Sequence, residues 1–137
     1  MKDLKNLFAI LVLISVFPLV NGQKIAKDAM VANWYISPLE DVSIEKLENF
    51  ILQEYIPELK KIFAGVNFYF LKNDRGRDEG SYSILVVFKS IEERNEWWPE
   101  KGVSSDKAKA AMEKMGKLGE KLDVLAKMSS WNDWLVL

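Results

Sequence analysis

Histidine and cysteine are both absent from this 137-residue chain, and each absence removes a block of chemistry. Without an imidazole there is no general base poised near neutral pH, no histidine ligand for a metal or haem, and no hydrolytic triad that relies on one. Without a thiol there is no cysteine nucleophile, no iron–sulfur cluster and no disulfide framework. Proline (4) and glycine (7) are scarce, and no stretch is biased enough to read as disordered or low in complexity. An excess of one charge is missing too. Nineteen basic residues against twenty acidic ones give a net charge of −1, whereas a phosphate-backbone binder presents a basic face, so nucleic acid is not an expected partner. What remains for chemistry is carboxylate, lysine, arginine, tyrosine, asparagine and tryptophan. No metal and no cofactor is expected, although carboxylates can hold a hard cation through oxygen.

The longest apolar run, residues 7–20, falls short of the ~20 residues that span a bilayer and carries Pro18 near its end. Lys2 and Lys5 precede it, and Val20-Asn21-Gly22 follows with small or permissive residues at the positions before a cut. Residues 1–22 therefore read as a secretory signal, with Gln23 as the mature N-terminus and a periplasmic or extracellular destination. An uncleaved anchor is the alternative reading of the same segment. Losing Lys2, Lys5 and Asp3 makes the net charge one unit more negative, and no membrane attachment is expected after cleavage. Residues 23–137 are enough for one domain with a core of its own, and 49% hydrophobic composition is that of a globular protein.

Residues 66–89 organise the rest. Val66, Phe68 and Phe70 alternate with Asn67, Tyr69 and Leu71; after a charged, glycine-containing turn, Tyr82, Ile84, Val86 and Phe88 alternate with Ser81, Ser83, Leu85 and Val87. The period of two is that of a β-hairpin. A first strand is expected over residues 29–37, closed by Pro38. A helix is expected over residues 43–63, capped by Ser43, with Ile44, Leu47, Ile51, Tyr55, Leu59 and Ile62 on its buried face and Pro57 kinking or breaking it near Tyr55. Gly65 suits a left-handed cap at its end. Ser90 with Glu93 forms a capping box for a short helix that stops before Pro99. A longer helix is expected over residues 106–128, with Glu113–Lys117 and Asp123–Lys127 pairs on a solvated face, and a last strand over residues 131–137. Gly116 and Gly119 inside that helix read first as tolerated or closely packed positions and second as points of close approach to a ligand or partner.

The order strand, helix, strand, strand, helix pair, strand is that of the ferredoxin-like split βαβ arrangement, an α+β fold with a four-stranded antiparallel sheet and helices on one face. With that order, Tyr55-Ile56-Pro57-Glu58-Leu59, the entry Gly65-Val66, the turn Asp74-Arg75-Gly76 and the junction from Phe88 through Arg94, the chain resembles the dimeric α+β barrel superfamily, which includes antibiotic-biosynthesis-monooxygenase-like and EthD-like proteins. The resemblance implies a homodimer whose sheets face each other, with a pocket between sheet and helices in each subunit. It also implies a range of activities, among them cofactor-free oxidation of phenolic or quinol substrates and haem binding. Lack of histidine departs from several of the catalytic and haem-binding members, and leaves an oxygenase only asparagine, tyrosine and tryptophan to work with.

Apolar pockets with a few polar groups are where small ligands bind. The candidate ligand-binding residues are Trp34, Tyr35, Asn67, Tyr69, Tyr82, Trp97 and Trp134, with Trp98 beside them; any single one also reads as a core or interface residue. Arg75 and Arg77 could meet an anion, although their turn reads first as a solvated hairpin tip. Two functions follow. One is an exported homodimer that binds a small apolar or aromatic molecule; the other is a cofactor-independent monooxygenase-like or isomerase-like enzyme, which a cavity holding Asn33 or Asn67 beside a tyrosine would favour. The dimer is expected through the sheet face that carries Val31, Tyr35, Tyr69, Leu71, Leu85 and Val87, because a monomer would expose that apolar set.

Overall fold

The computed structural model describes residues 24–77 and 79–137. The signal-type segment 1–22, Gln23 and Asp78 of the hairpin turn lie outside the described residues. The chain runs through β1 (Met30–Pro38), a continuous helix α1 over residues 44–62, β2 (Asn67–Lys72), β3 (Tyr82–Phe88), α2 (Ile91–Trp97), α3 (Asp106–Asp123) and β4 (Ala126–Leu135). The strands form one antiparallel sheet in the order β2-β3-β1-β4. β3 thus lies between the two strands that α1 connects, which is the split βαβ of a ferredoxin-like α+β fold.

Register assigns each side chain to a face. Met30, Ala32, Trp34 and Ile36 stand opposite Phe88, Val86, Ile84 and Tyr82, and Phe68 and Phe70 continue the row on β2. These residues meet Leu47, Ile51, Leu59, Phe63, Ala108, Ala111 and Leu122 from the helices in the hydrophobic core. The reverse face carries Val31, Asn33 and Tyr35 beside Val87, Leu85 and Ser83, with Asn67, Tyr69 and Leu71 outside them. Among the described residues, no helix is long and apolar enough to cross a membrane.

The local signals act as their chemistry requires. Ser43 Oγ accepts from Lys46 N–H and Ser90 Oγ from Glu93 N–H, while Glu93 accepts from Lys89 N–H, so the box at α2 closes on the residue before its cap. Gly65 has φ +93°, and a side chain there would also approach Glu93 Oε1. In the hairpin turn Asn73 and Gly80 close the ladder, and Arg75 Nε lies 3.2 Å from its neighbour Asp74.

Two elements differ from the sequence expectation. Pro57 does not break α1; Ile44–Phe50 and Ile56–Ile62 are α-helical, and Ile51–Tyr55 between them is a π turn in which Ile56 N–H bonds to Ile51 O. A proline ring collides with the carbonyl four residues back in a regular helix, and the wider turn just before Pro57 meets that demand without a break. The wide turn holds one extra residue, so the buried stripe slips by one. Tyr55 and Ile56 are both buried, followed by Leu59 and Phe63, while Ile44 is exposed and Ile62 only partly covered.

The second difference is at the C-terminus. α3 ends at Asp123 and β4 begins at Ala126, where residues 106–128 had read as one helix. Leu125 O accepts from Leu39 N–H, and Ala126 pairs with Pro38, so the ladder with β1 claims backbone groups that a longer helix would have used. Asp123 and Lys127 consequently fall on different elements. Periodicity could not distinguish these outcomes, because Leu122, Leu125 and Ala126 are buried either way.

Candidate functional site

The helix-covered face is not filled along its whole width. Toward β2 it is closed by aromatic rings: Phe63 lies 4.8 Å from Trp97 and 5.9 Å from Phe68 and from Trp98, centroid to centroid, and Phe88 contacts Trp98 edge-on. Toward β4 the side chains leave a cavity of about 290 Å³. Ala32, which has nothing beyond Cβ, is part of its lining and faces Asp133 across the ladder to β4. Trp34 and Trp131 are cross-strand neighbours beside it, and Met128 and Phe88 complete the apolar wall.

A bulge makes β4 serve this wall. Met128 and Trp131 are three residues apart, which in a regular strand would send them to opposite faces. Pairing shifts between Tyr35 and Ile36, so that Ile36 faces Met128 while Tyr35 faces Ser130, and Ser129 is the extra residue. Both large side chains therefore reach the same side.

The opposite wall is polar. Arg94 projects from α2 and contacts Asp133 Oδ2 at 3.5 Å and Trp98 O at 3.4 Å through Nη1. These are long contacts for a guanidinium, and Arg94 Nε is buried with no partner. Burial pushes the Asp133 carboxyl above the ordinary aspartate range, and the Arg94 charge opposes only part of that rise. The rim is the loop after α2, where Glu100, Lys101, Gly102 and Ser104 line the mouth. Gly102, at φ +76°, lets the chain turn so that Val103 N–H meets Glu100 O. Ser105 pins the loop to α2, its N–H on Trp97 O and its Oγ on Glu96 O, and caps α3 by accepting from Ala108 N–H.

Of the residues singled out in the sequence, Trp34 and Trp98 line this cavity. Tyr82 points to α1 and donates to Glu48 Oε1 at 2.9 Å, and Trp97 is buried against Phe63 with Lys107 over its ring at 4.1 Å. Tyr35, Asn67, Tyr69 and Trp134 stand on the other face of the sheet; Trp134 is opposite Val31 and 59% exposed. Asn33 shares that face, and its Oδ1 is buried without a partner. Sequence reasoning did not reach Arg94, Met128, Trp131 or Asp133 as site residues. An alternation count that allowed a bulge at Ser129-Ser130 would have aligned Met128 and Trp131, but nothing local marks Arg94 as facing inward. Among the described residues no group of three or more acidic side chains is placed to hold a metal ion.

No family model matches the chain, and no curated protein matches it in sequence. Among solved structures it is similar to a dimeric protein of unknown function with a ferredoxin-like fold from Bacteroides fragilis, at 10% identity and a TM-score of 0.45, over 80% of this chain and 97% of that one.

Proposed function

We propose that the protein is an exported homodimer that binds a small apolar or aromatic molecule in the cavity between α2 and the β1–β4 half of the sheet. The observation that carries this reading is the cavity itself, about 290 Å³ walled by Trp34, Trp98 and Trp131 and closed on one side by Arg94 and Asp133. Flat indole faces with a few convergent polar groups are the usual make-up of a small-molecule site. Binding is favoured over catalysis because neither Asn33, Asn67 nor any tyrosine lines the cavity. The signal-type pattern of residues 1–22 supports export.

The open sheet face supports the dimer. Of the apolar set expected there, Val31 and Val87 are already buried within one subunit and Tyr35 and Leu85 are half-buried; Tyr69 and Leu71 are exposed, as is Trp134, and Asn33 Oδ1 at the centre of the face lacks a partner. A two-fold pairing of these faces covers the apolar side chains and closes on itself.

Isothermal titration with naphthalene, a neutral two-ring probe, tests the site. Binding to the wild type is expected, with at least tenfold weakening in Trp131→Ala and no change in Trp134→Ala on the opposite face. Equal binding by all three proteins would remove the cavity from consideration. Sedimentation at micromolar concentration tests the assembly. A dimer is expected for the wild type and a monomer for Leu71→Asp/Trp134→Asp; a wild-type monomer would sink the assembly.

A further inference from the structure

The charges around the cavity narrow the ligand class, and this step rests on the cavity being a small-molecule site. Three indoles suit a flat ring, and they would equally suit an organic cation. A cation, however, would sit against the Arg94 guanidinium, and an anion would meet the Asp133 carboxylate, 3.5 Å from Arg94 in the same wall. At the rim Glu100 and Lys101 oppose each other in the same way. The lining thus rewards neither sign of charge. It does carry unused hydrogen-bonding capacity of both kinds: Arg94 has five donor hydrogens, makes long contacts with one nitrogen, and leaves Nε buried and unpartnered. Asp133 is an acceptor whose Arg94 contact is too long to satisfy it.

We infer that the cavity takes an uncharged planar heterocycle of one or two fused rings that carries an N–H next to a C=O, the edge of a cyclic amide. The carbonyl accepts from Arg94, the N–H donates to Asp133, and the ring lies against Trp34, Trp98 and Trp131. Size agrees with this class, since about 290 Å³ is at the small end of ligand pockets and leaves little space for a third ring. Specificity follows from the cost of leaving polar groups unmatched once a bound ring shields them from water, which discriminates against an analogue lacking the donor or the acceptor more strongly than against one of slightly different shape.

The test is a calorimetric series of bicyclic probes on the isolated wild-type protein: quinolin-2-one, its N-methyl derivative, naphthalene, naphthalene-2-carboxylate and N-methylquinolinium. Quinolin-2-one is expected to bind at least tenfold more tightly than each of the other four. In Arg94→Met/Asp133→Leu that preference over naphthalene should fall below twofold while naphthalene binding persists. Tightest binding of the carboxylate or the quinolinium would overturn the inference, as would retention of the preference in the double variant. If naphthalene or the N-methyl compound matches quinolin-2-one in the wild type, the polar pair is not being read and the inference fails, yet the cavity still stands as a small-molecule site. If none of the probes binds, both fall. The wild-type ranking decides the matter even if the double variant does not fold.

Discussion

β3 and β4 both pair with β1, and they could hardly be used more differently. Every residue of β3 except Leu85 is buried, whereas of β4 only Ala126 is. β3 sits inside the sheet and is packed from the helix side by Phe63, Phe68 and the α1 stripe. β4 is an edge strand whose ladder to β1 runs from Pro38 to Met30, but whose large side chains, Met128 and Trp131, form one wall of a cavity. Backbone pairing and side-chain packing are thus separable contributions. A strand can be held firmly by its ladder while its side chains remain available to something that is not protein.

The largest expected effect tests the packed strand. Ile84 is fully buried, and Ile84→Ala should cost about 3–5 kcal/mol through lost burial and the cavity left behind. Trp131→Ala on β4 should cost less, about 1–2 kcal/mol, because about half of that residue is already in water. Urea denaturation of both variants checks the contrast. Equal losses would show β4 to be part of the same packing unit as β3.

Tyr55 sharpens the same contrast at high pH. Burial, helped by the nearby Asp123 charge, pushes its hydroxyl from 10.0 up to about 12. The folded state therefore holds this proton more tightly than the unfolded chain. Stability from this group is complete below pH 10 and is lost as pH rises toward about 12. At ~1.4 kcal/mol per pH unit the loss is about 3 kcal/mol. Tyr55→Phe should flatten the stability profile in that window, and an unchanged alkaline slope would place the effect elsewhere.

Smaller gains are expected on α3, which flanks the less filled half. A Cβ added at Gly116 or Gly119 would meet nothing within 4 Å. Neither glycine is there for close packing, and replacing each with alanine should raise stability by about 0.5–1 kcal/mol. Thermal melting that shows a loss instead would mean that this face is covered in solution. The smallest shift belongs to Asp133. Its raised carboxyl pKa means that its contribution is largest below the aspartate range and declines as pH rises. Asp133→Asn should therefore gain slightly on the wild type between acid and neutral pH, and a widening deficit over that interval would make the Arg94 contact the stronger influence.

Much of the architecture was legible in the sequence for identifiable reasons. Strict alternation in β2 and β3 assigned the two faces correctly, and Ser43 and Ser90 by their hydroxyls and Gly65 by its positive φ marked boundaries in ways that depend on few neighbours. What escaped depended on a count being off by one or on a pairing with a distant segment. The π turn moved the α1 stripe onto Ile56 and Phe63, the bulge at Ser129 brought Met128 and Trp131 together, and the end of α3 was decided by pairing with Pro38. The cavity was half visible: Trp34 and Trp98 stood out as aromatics, but Arg94 read as one more surface charge on a short polar helix.

The π turn has a consequence for how this helix can change over time. Residues 51–55 hold one more residue than an α-helical stretch of the same length would, and that residue sets the phase of everything after it. Removing one residue from the turn would let it close to α-helical geometry and leave Phe63 set against Trp97 and Trp98, whereas a further residue inserted there would rotate the following segment by ~100° and carry Phe63 away. A change of length by one residue is therefore not symmetrical in α1: the turn accepts a loss and resists a gain, and Pro57, whose ring the wide turn accommodates, belongs to the same linked set.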